Sequence, residues 1–163
     1  MLSEADNYIY RINKLLQEED LSAAFDLLSE MLQKFPDHGI AHALTGKLYK
    51  EYGQDNIKAE QHLKKAIQLS PTHLESYIRL SDLFLWQERT NELIALLNKA
   101  LEVPGPVKDR VYEKFGLMNE LQLKFDDAIV HYKKAISNSL SLEDIKKYEQ
   151  SIERCVYKKK YLH

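Results

Sequence analysis

His38 and His42 stand four residues apart, a spacing that sets two imidazoles on one face of a helix, where a zinc ion takes paired ligands. No glutamate follows His38, no third ligand stands near, and Gly39 interrupts the pair. The pair is therefore not read as a metal site. His62, His73, His131 and His163 are scattered. Cys155 is the only cysteine, which rules out an intrachain disulfide and a thiolate cluster and reads as a half-buried helix residue. No G-x-x-x-x-G-K, G-x-S-x-G or G-x-G-x-x-G segment occurs. With no convergent titratable groups, the chain is read as having no catalytic residue, no metal site and no cofactor; it is not expected to be an enzyme.

The elements that position side chains in these 163 residues must be helical and soluble. A hydrophobic fraction of 44% suits a globular chain of single-domain size. No apolar run reaches the roughly 18 residues that cross a bilayer. The stretch from Met1 to Arg11 holds Glu4 and Asp6 and no continuous apolar segment, which predicts no secretory leader and a cytoplasmic protein. A net charge of −2 gives little counterion release on a polyphosphate, so nucleic acid is not an expected partner. Charge is nonetheless uneven. Three cations (Arg11, Lys14, Lys34) face eight acids in residues 1–41, while the end of the chain carries Lys158, Lys159 and Lys160. Opposite-signed ends suit head-to-tail contact; solvated faces are the favoured reading.

Self-similarity organises the rest. Gly46, Tyr49, Gly53, Ala59, Leu63, Ala66 and Pro71 have counterparts about 35 residues on in Ser81, Phe84, Leu93, Leu97, Ala100 and Pro104. A further step reaches Tyr112, Phe115, Gly116, Ala128, Tyr132 and Ala135, and one step back gives Tyr8, Ile12, Ala24, Leu28, Met31 and Pro36. Within a copy the apolar residues recur at i, i+3, i+4 and i+7, first for one helix and then for a second. Small residues such as Gly116 and Ala128 let the two helices approach, and aromatics such as Tyr8, Tyr77 and Phe84 fill the space between them. All four prolines fall between copies, where a second helix must stop. Gly39 and Gly105 read as lying in the turns between copies, Gly39 at a helix start. After the fourth copy, Ser141-Leu-Glu-Asp144 reads as an N-cap, followed by an amphipathic helix whose mixed charge and lack of Trp or Phe argue against membrane binding. Such a helix covers the open end of a solenoid.

Aromatic, aliphatic and glycine in a first helix, then alanine, leucine or aromatic, alanine and proline, resembles the tetratricopeptide repeat. The fourth copy, with Lys124-Phe-Asp-Asp-Ala-Ile129, is the closest match. The second follows, with one extra residue between Gly53 and Ala59; the third and first are degenerate. The resemblance covers residues 5–140. It implies an all-α fold: a right-handed α-α superhelix of four hairpins (5–38, 39–73, 74–107 and 108–141) with a C-terminal capping helix at 142–160, forming one domain over 1–163. The pentatricopeptide repeat, an RNA-reading relative of similar period, has longer and basic arrays and fits less well.

The resemblance further implies a scaffold or adaptor that holds a partner peptide or tail in the concave groove lined by first helices. Asp6, Ile9, Tyr10 and Asn13 would come from the first copy; Ala43, Leu44, Lys47 and Lys50 from the second. Ile78, Arg79, Asp82 and Trp86 would come from the third, and Arg110, Glu113, Lys114 and Leu117 from the fourth. The residues expected to bind are Asn13, Lys47, Lys50, Arg79, Asp82, Trp86, Arg110 and Lys114. Their cations favour an acidic or carboxylate-bearing protein partner. The two-carboxylate clamp of chaperone-binding members is incomplete, since Ile9, Ala43 and Leu44 interrupt it, so chaperone-tail recognition is not expected. Trp86, the sole tryptophan, reads equally as a binding anchor and as a packing residue against the next copy. Two other functions stay open. One is a small secretion-type chaperone holding an unfolded client, often a homodimer; the other is a self-assembling structural module.

Overall fold

A computed structural model describes residues 3–106 and 108–162; Met1, Leu2, Val107 and His163, one of the scattered histidines, lie outside them. The described residues form nine α-helices and no strand. They are α1 (Glu4–Gln17), α2 (Leu21–Lys34), α3 (Gly39–Glu51), α4 (Asn56–Leu69), α5 (Leu74–Trp86), α6 (Thr90–Glu102), α7 (Asp109–Leu121), α8 (Phe125–Asn138) and α9 (Leu142–Tyr161). Each starts where a side chain takes up orphan amides or where the turn hands the chain on. Ser3 and Asp6 form a reciprocal capping box, and Asp20, Asp55 and Ser141 accept from the amides of Ala23, Lys58 and Asp144. His38 caps α3 with Nδ1, 3.2 Å from the amide of Ala41. Of the two readings of Gly39, the helix start holds and the turn does not: it is the first residue of α3, and a Cβ there would lie 2.1 Å from the Ser70 hydroxyl. The four prolines lie outside the helices.

The tight turns carry the period in their backbone. Glu19, Gln54, Glu88 and Leu123 all have positive φ, between 49° and 60°. They precede α2, α4, α6 and α8, where the left-handed residue lets the next amide reach back into the helix just ended. Asp20, Arg89 and Lys124 donate to the carbonyls of Leu15, Phe84 and Asn119, five residues back. Asp55 donates to Tyr49, six back, so the extra residue of the second copy is absorbed inside this turn.

Two compact units divide the chain after Leu80, within α5. In the unit ending at Leu80, α1 packs on α2, α2 on α3, and α3 on α4. Tyr8, Ile12, Ala24, Leu28, Met31, Ala41 and Leu48 form one buried cluster. Gly46 permits the close α3–α4 approach, because a Cβ there would lie 2.8 Å from Leu63 Cγ. In the unit beginning at Ser81, α6 packs on α7, α7 on α8, and α8 on α9. Phe125, Ala128, Tyr132 and Cys155 form its buried cluster against Leu117, Ile129 and Ile152. Tyr77 and Phe84 are buried, while Tyr49 and Tyr112 are half-buried. The aromatic stripe is therefore mainly core.

Candidate functional site

In the first unit, α1, α3 and α5 bring three of the predicted residues to one cleft. Asn13, Leu16 and Gln17 from α1, Ile40, Ala43, Leu44 and Lys47 from α3, and Glu75 and Arg79 from α5 line a cavity of about 430 Å³, with His73 at its edge. Its cations are already occupied. Arg79 spans two acids, 2.8 Å from Glu51 and 2.9 Å from Glu75, and Lys47 lies 3.9 Å from Glu51. Arg79 is only 21% exposed, which strengthens these pairs relative to free surface ones. Asn13 is exposed and has no side-chain partner among the described residues. Lys50 is half-buried on the same helix as Lys47 but does not line the cleft.

The second unit holds the other four. Lys114 on α7 meets Asp82 on α5 at 2.7 Å, both half-buried. Arg110 is exposed on α7. Trp86 ends α5 with 83% of its surface exposed, so it is not packed against a following copy within this unit. Glu113, also assigned to the groove, is instead buried and ion-paired with Lys147 of α9 at 2.6 Å.

The charge pairs that hold α9 were not among those singled out from the sequence. Asp109, Glu113 and Glu120 lie along one stripe of α7. The Tyr148 hydroxyl donates to Asp109, and Lys147 pairs with Glu113. Glu120, 5% exposed, accepts from Arg154 through two bonds of 2.7 Å, from Lys158 at 2.9 Å and from Tyr132 Oη at 2.8 Å. Burial opposes its ionisation, but the bonds from Arg154, Lys158 and Tyr132 outweigh this and hold its carboxyl at about 2. Burial, reinforced by the Glu120 charge, pushes the Cys155 thiol up to about 11, and the side chain packs, fully buried, in the cluster of Phe125, Ala128 and Tyr132. A partner for each α7 acid lies 34 to 39 residues on, a separation near one period, and that is the signal which pairs them.

The histidines meet differently from the i, i+4 pair in the sequence. His42 Nδ1 lies 2.9 Å from His62 Nδ1, and His42 Nε2 lies 2.9 Å from the Pro36 carbonyl. A carbonyl only accepts, so His42 carries its proton on Nε2, and His62 must donate from Nδ1. Tyr49 stacks on His62. Burial, and secondarily the His42 charge, lowers the His62 pKa below its ordinary 6.5; burial is also the main cause of the lowered His73 pKa. A base whose folded pKa is lowered takes its proton more readily unfolded. Stability is therefore expected to be full above about pH 6.5 and to fall as pH drops from there through the folded values. Thermal melts from pH 8 to 5 check this. The fall should be smaller in His62→Gln, and an equal fall in that variant would remove the histidine pair as its cause.

Among the described residues no group of three or more His, Cys, Asp or Glu side chains is placed to hold a metal, and no helix is long and apolar enough to cross a membrane.

No protein-family model matches the chain, and no curated protein matches it. Solved structures do. The chain is similar to pilF of Pseudomonas aeruginosa (20% identity, TM-score 0.82, covering 96% of this chain and 69% of that one). It is similar to PilW, described as a widely conserved type IV pilus biogenesis factor (16%, 0.77, 96% and 80%). It is also similar to yeast Tom70 (18%, 0.81, 97% of this chain), of which it spans 34%. The all-helical architecture, the recurring left-handed turns and these likenesses together give the chain the tetratricopeptide-type fold of stacked helices.

Proposed function

We propose that the chain is a protein-interaction scaffold that binds a segment of a partner protein at its first-helix faces, with the cleft of Asn13, Lys47 and Arg79 as the principal site. The observation that carries this reading is convergence: three polar side chains from three separate helices line one cavity, and Asn13 has no partner there among the described residues. A primary amide offers one acceptor and two donors, which suits the backbone of an extended peptide. Arg79 is shared between Glu51 and Glu75. A partner carboxylate would exchange with one of them and keep the guanidinium paired, which favours an acidic or C-terminal segment. Lys50, Asp82, Arg110, Lys114 and Trp86 are proposed as further contacts. The likeness to a pilus biogenesis factor is compatible with an assembly role.

The test captures partners on the wild-type chain, on Asn13→Asp and on Arg79→Gln, and identifies them by mass spectrometry. Both variants are expected to lose at least about tenfold in affinity, roughly 1.4 kcal/mol, with unchanged helicity by circular dichroism. Equal capture by all three proteins would reject this cleft as the site.

A further inference from the structure

The second unit carries a cleft of different character. Phe84, Leu85 and Trp86 at the end of α5, Leu93 on α6, and Met118 and Leu121 at the end of α7 line a cavity of about 410 Å³. Trp86 is 83% exposed and Leu121 67%. Single exposed apolar residues are ordinary on a protein surface, but a contiguous, concave set that includes tryptophan is not. The same slot of α1 and α3 holds Gln17 and Glu51, so the apolar character belongs to this unit and not to the repeat.

Its rim says what would fill it. Arg89 is withdrawn: its guanidinium sits 4.2 Å from the centre of the Phe84 ring and makes two bonds to Glu92, of 2.7 and 2.6 Å. Gln122 donates to the Thr90 hydroxyl at 3.3 Å, so these two polar residues satisfy each other. Glu88 also lines the cleft. It is exposed, and its carboxylate has no partner among the described residues. The cleft therefore presents an apolar floor and one uncompensated carboxylate.

We infer that this cleft is a second docking site, which takes a large apolar side chain of a partner protein segment carrying a lysine or arginine beside it. The apolar side chain removes Trp86 and Leu121 from water, and the cation meets Glu88 at the lip, where charge selects among partners more than it adds affinity. This rests on the scaffold reading and shares Trp86 with its further contacts, but none of its residues lines the Asn13 cleft, and its charge preference is opposite.

Trp86 is the only tryptophan, so its fluorescence reports this site alone. Short random peptides displayed on phage are selected on the full chain, and enriched peptides are synthesised and titrated. Enriched sequences should pair a large apolar residue with an adjacent Lys or Arg, and tryptophan-free ones, bearing Leu or Phe, should shift Trp86 emission to the blue with saturation. They should bind about tenfold more weakly to Leu121→Glu and several-fold more weakly to Glu88→Lys, with circular dichroism unchanged. The inference is overturned if no peptide is enriched, if the enriched peptides are acidic, or if they bind Leu121→Glu undiminished. Peptides that instead lose affinity for Asn13→Asp belong to the first cleft, which also overturns this site while leaving the scaffold reading in place. A blue shift produced by raising the concentration of the chain alone would assign the face to a second copy and overturn a peptide partner.

Discussion

Replacing Glu120 with glutamine is expected to lower the stability of the second unit by about 2 kcal/mol at neutral pH. The carboxylate is buried and takes donors from both α8 and α9. Glutamine keeps the volume but offers one acceptor where two oxygens had four bonds, and it brings an NH₂ toward a guanidinium and an ammonium. Removing one partner of a fully buried ion pair costs about 3–5 kcal/mol. Arg154 and Lys158 are 44% and 45% exposed, so water recovers part of their hydration and the smaller figure applies. The pH dependence follows from the same group. Its folded value of about 2 lies below the ordinary 4.5, so its contribution is complete above about pH 4.5 and is lost as pH falls toward 2. Urea denaturation of wild type and variant at pH 7 and pH 3 checks both parts. The gap between the two proteins should narrow at the lower pH. Hydrogen exchange should show α9 amides opening first in the variant; a loss under about 0.5 kcal/mol with α9 protection unchanged would show that the charged node does not hold the helix.

Gly116→Ala is the second large effect, and its sign runs against helix propensity. In an exposed helix interior this change stabilises by about 1 kcal/mol. Here the added Cβ would lie 2.6, 2.8 and 2.9 Å from Cε1, Cδ1 and Cζ of Tyr132. That ring cannot swing aside cheaply, since it is fully buried and its hydroxyl is tied to Glu120. Either α7 and α8 separate or the ring leaves its hydrogen bond, and a net loss of about 2–3 kcal/mol is expected. The clash has a signature. Tyr132→Leu should cost less in the Gly116→Ala background than alone, because the smaller side chain relieves the overlap. Additive losses would place the damage elsewhere. The two predictions share Tyr132, so Gly116→Ala should also weaken the docking of α9.

Much of this arrangement was legible in the residues. Gly116 and Tyr132, or Gly46 and Leu63, sit at spacings that a helix pair converts into contact, and the buried positions Ile12, Leu28 and Ala128 follow the helical period. Ser141 was readable as a cap because capping depends on neighbours in the chain. Gly39 was only partly legible: its place at a helix start was readable, whereas the need for glycine there is set by Ser70, thirty-one residues away. Charge was the least legible property. Lys47, Arg79 and Lys114 are cations in the sequence, but Glu51, Glu75 and Asp82 compensate them across or along helices. Period alone does not reveal which way a long side chain turns. His42 likewise turned from the local His38 to the distant His62.

The order of packing has a kinetic consequence. The most extensive helix contacts are between neighbours along the chain: α1 with α2, α2 with α3, α3 with α4, then α6 with α7, α7 with α8 and α8 with α9. Each unit can form by closing short loops one after another, without waiting for distant segments to find each other. Chains of such low contact order fold in microseconds to milliseconds. During synthesis α1 and α2 can zip together before α4 has left the ribosome, and α9, whose partners all precede it, can dock as soon as it is made.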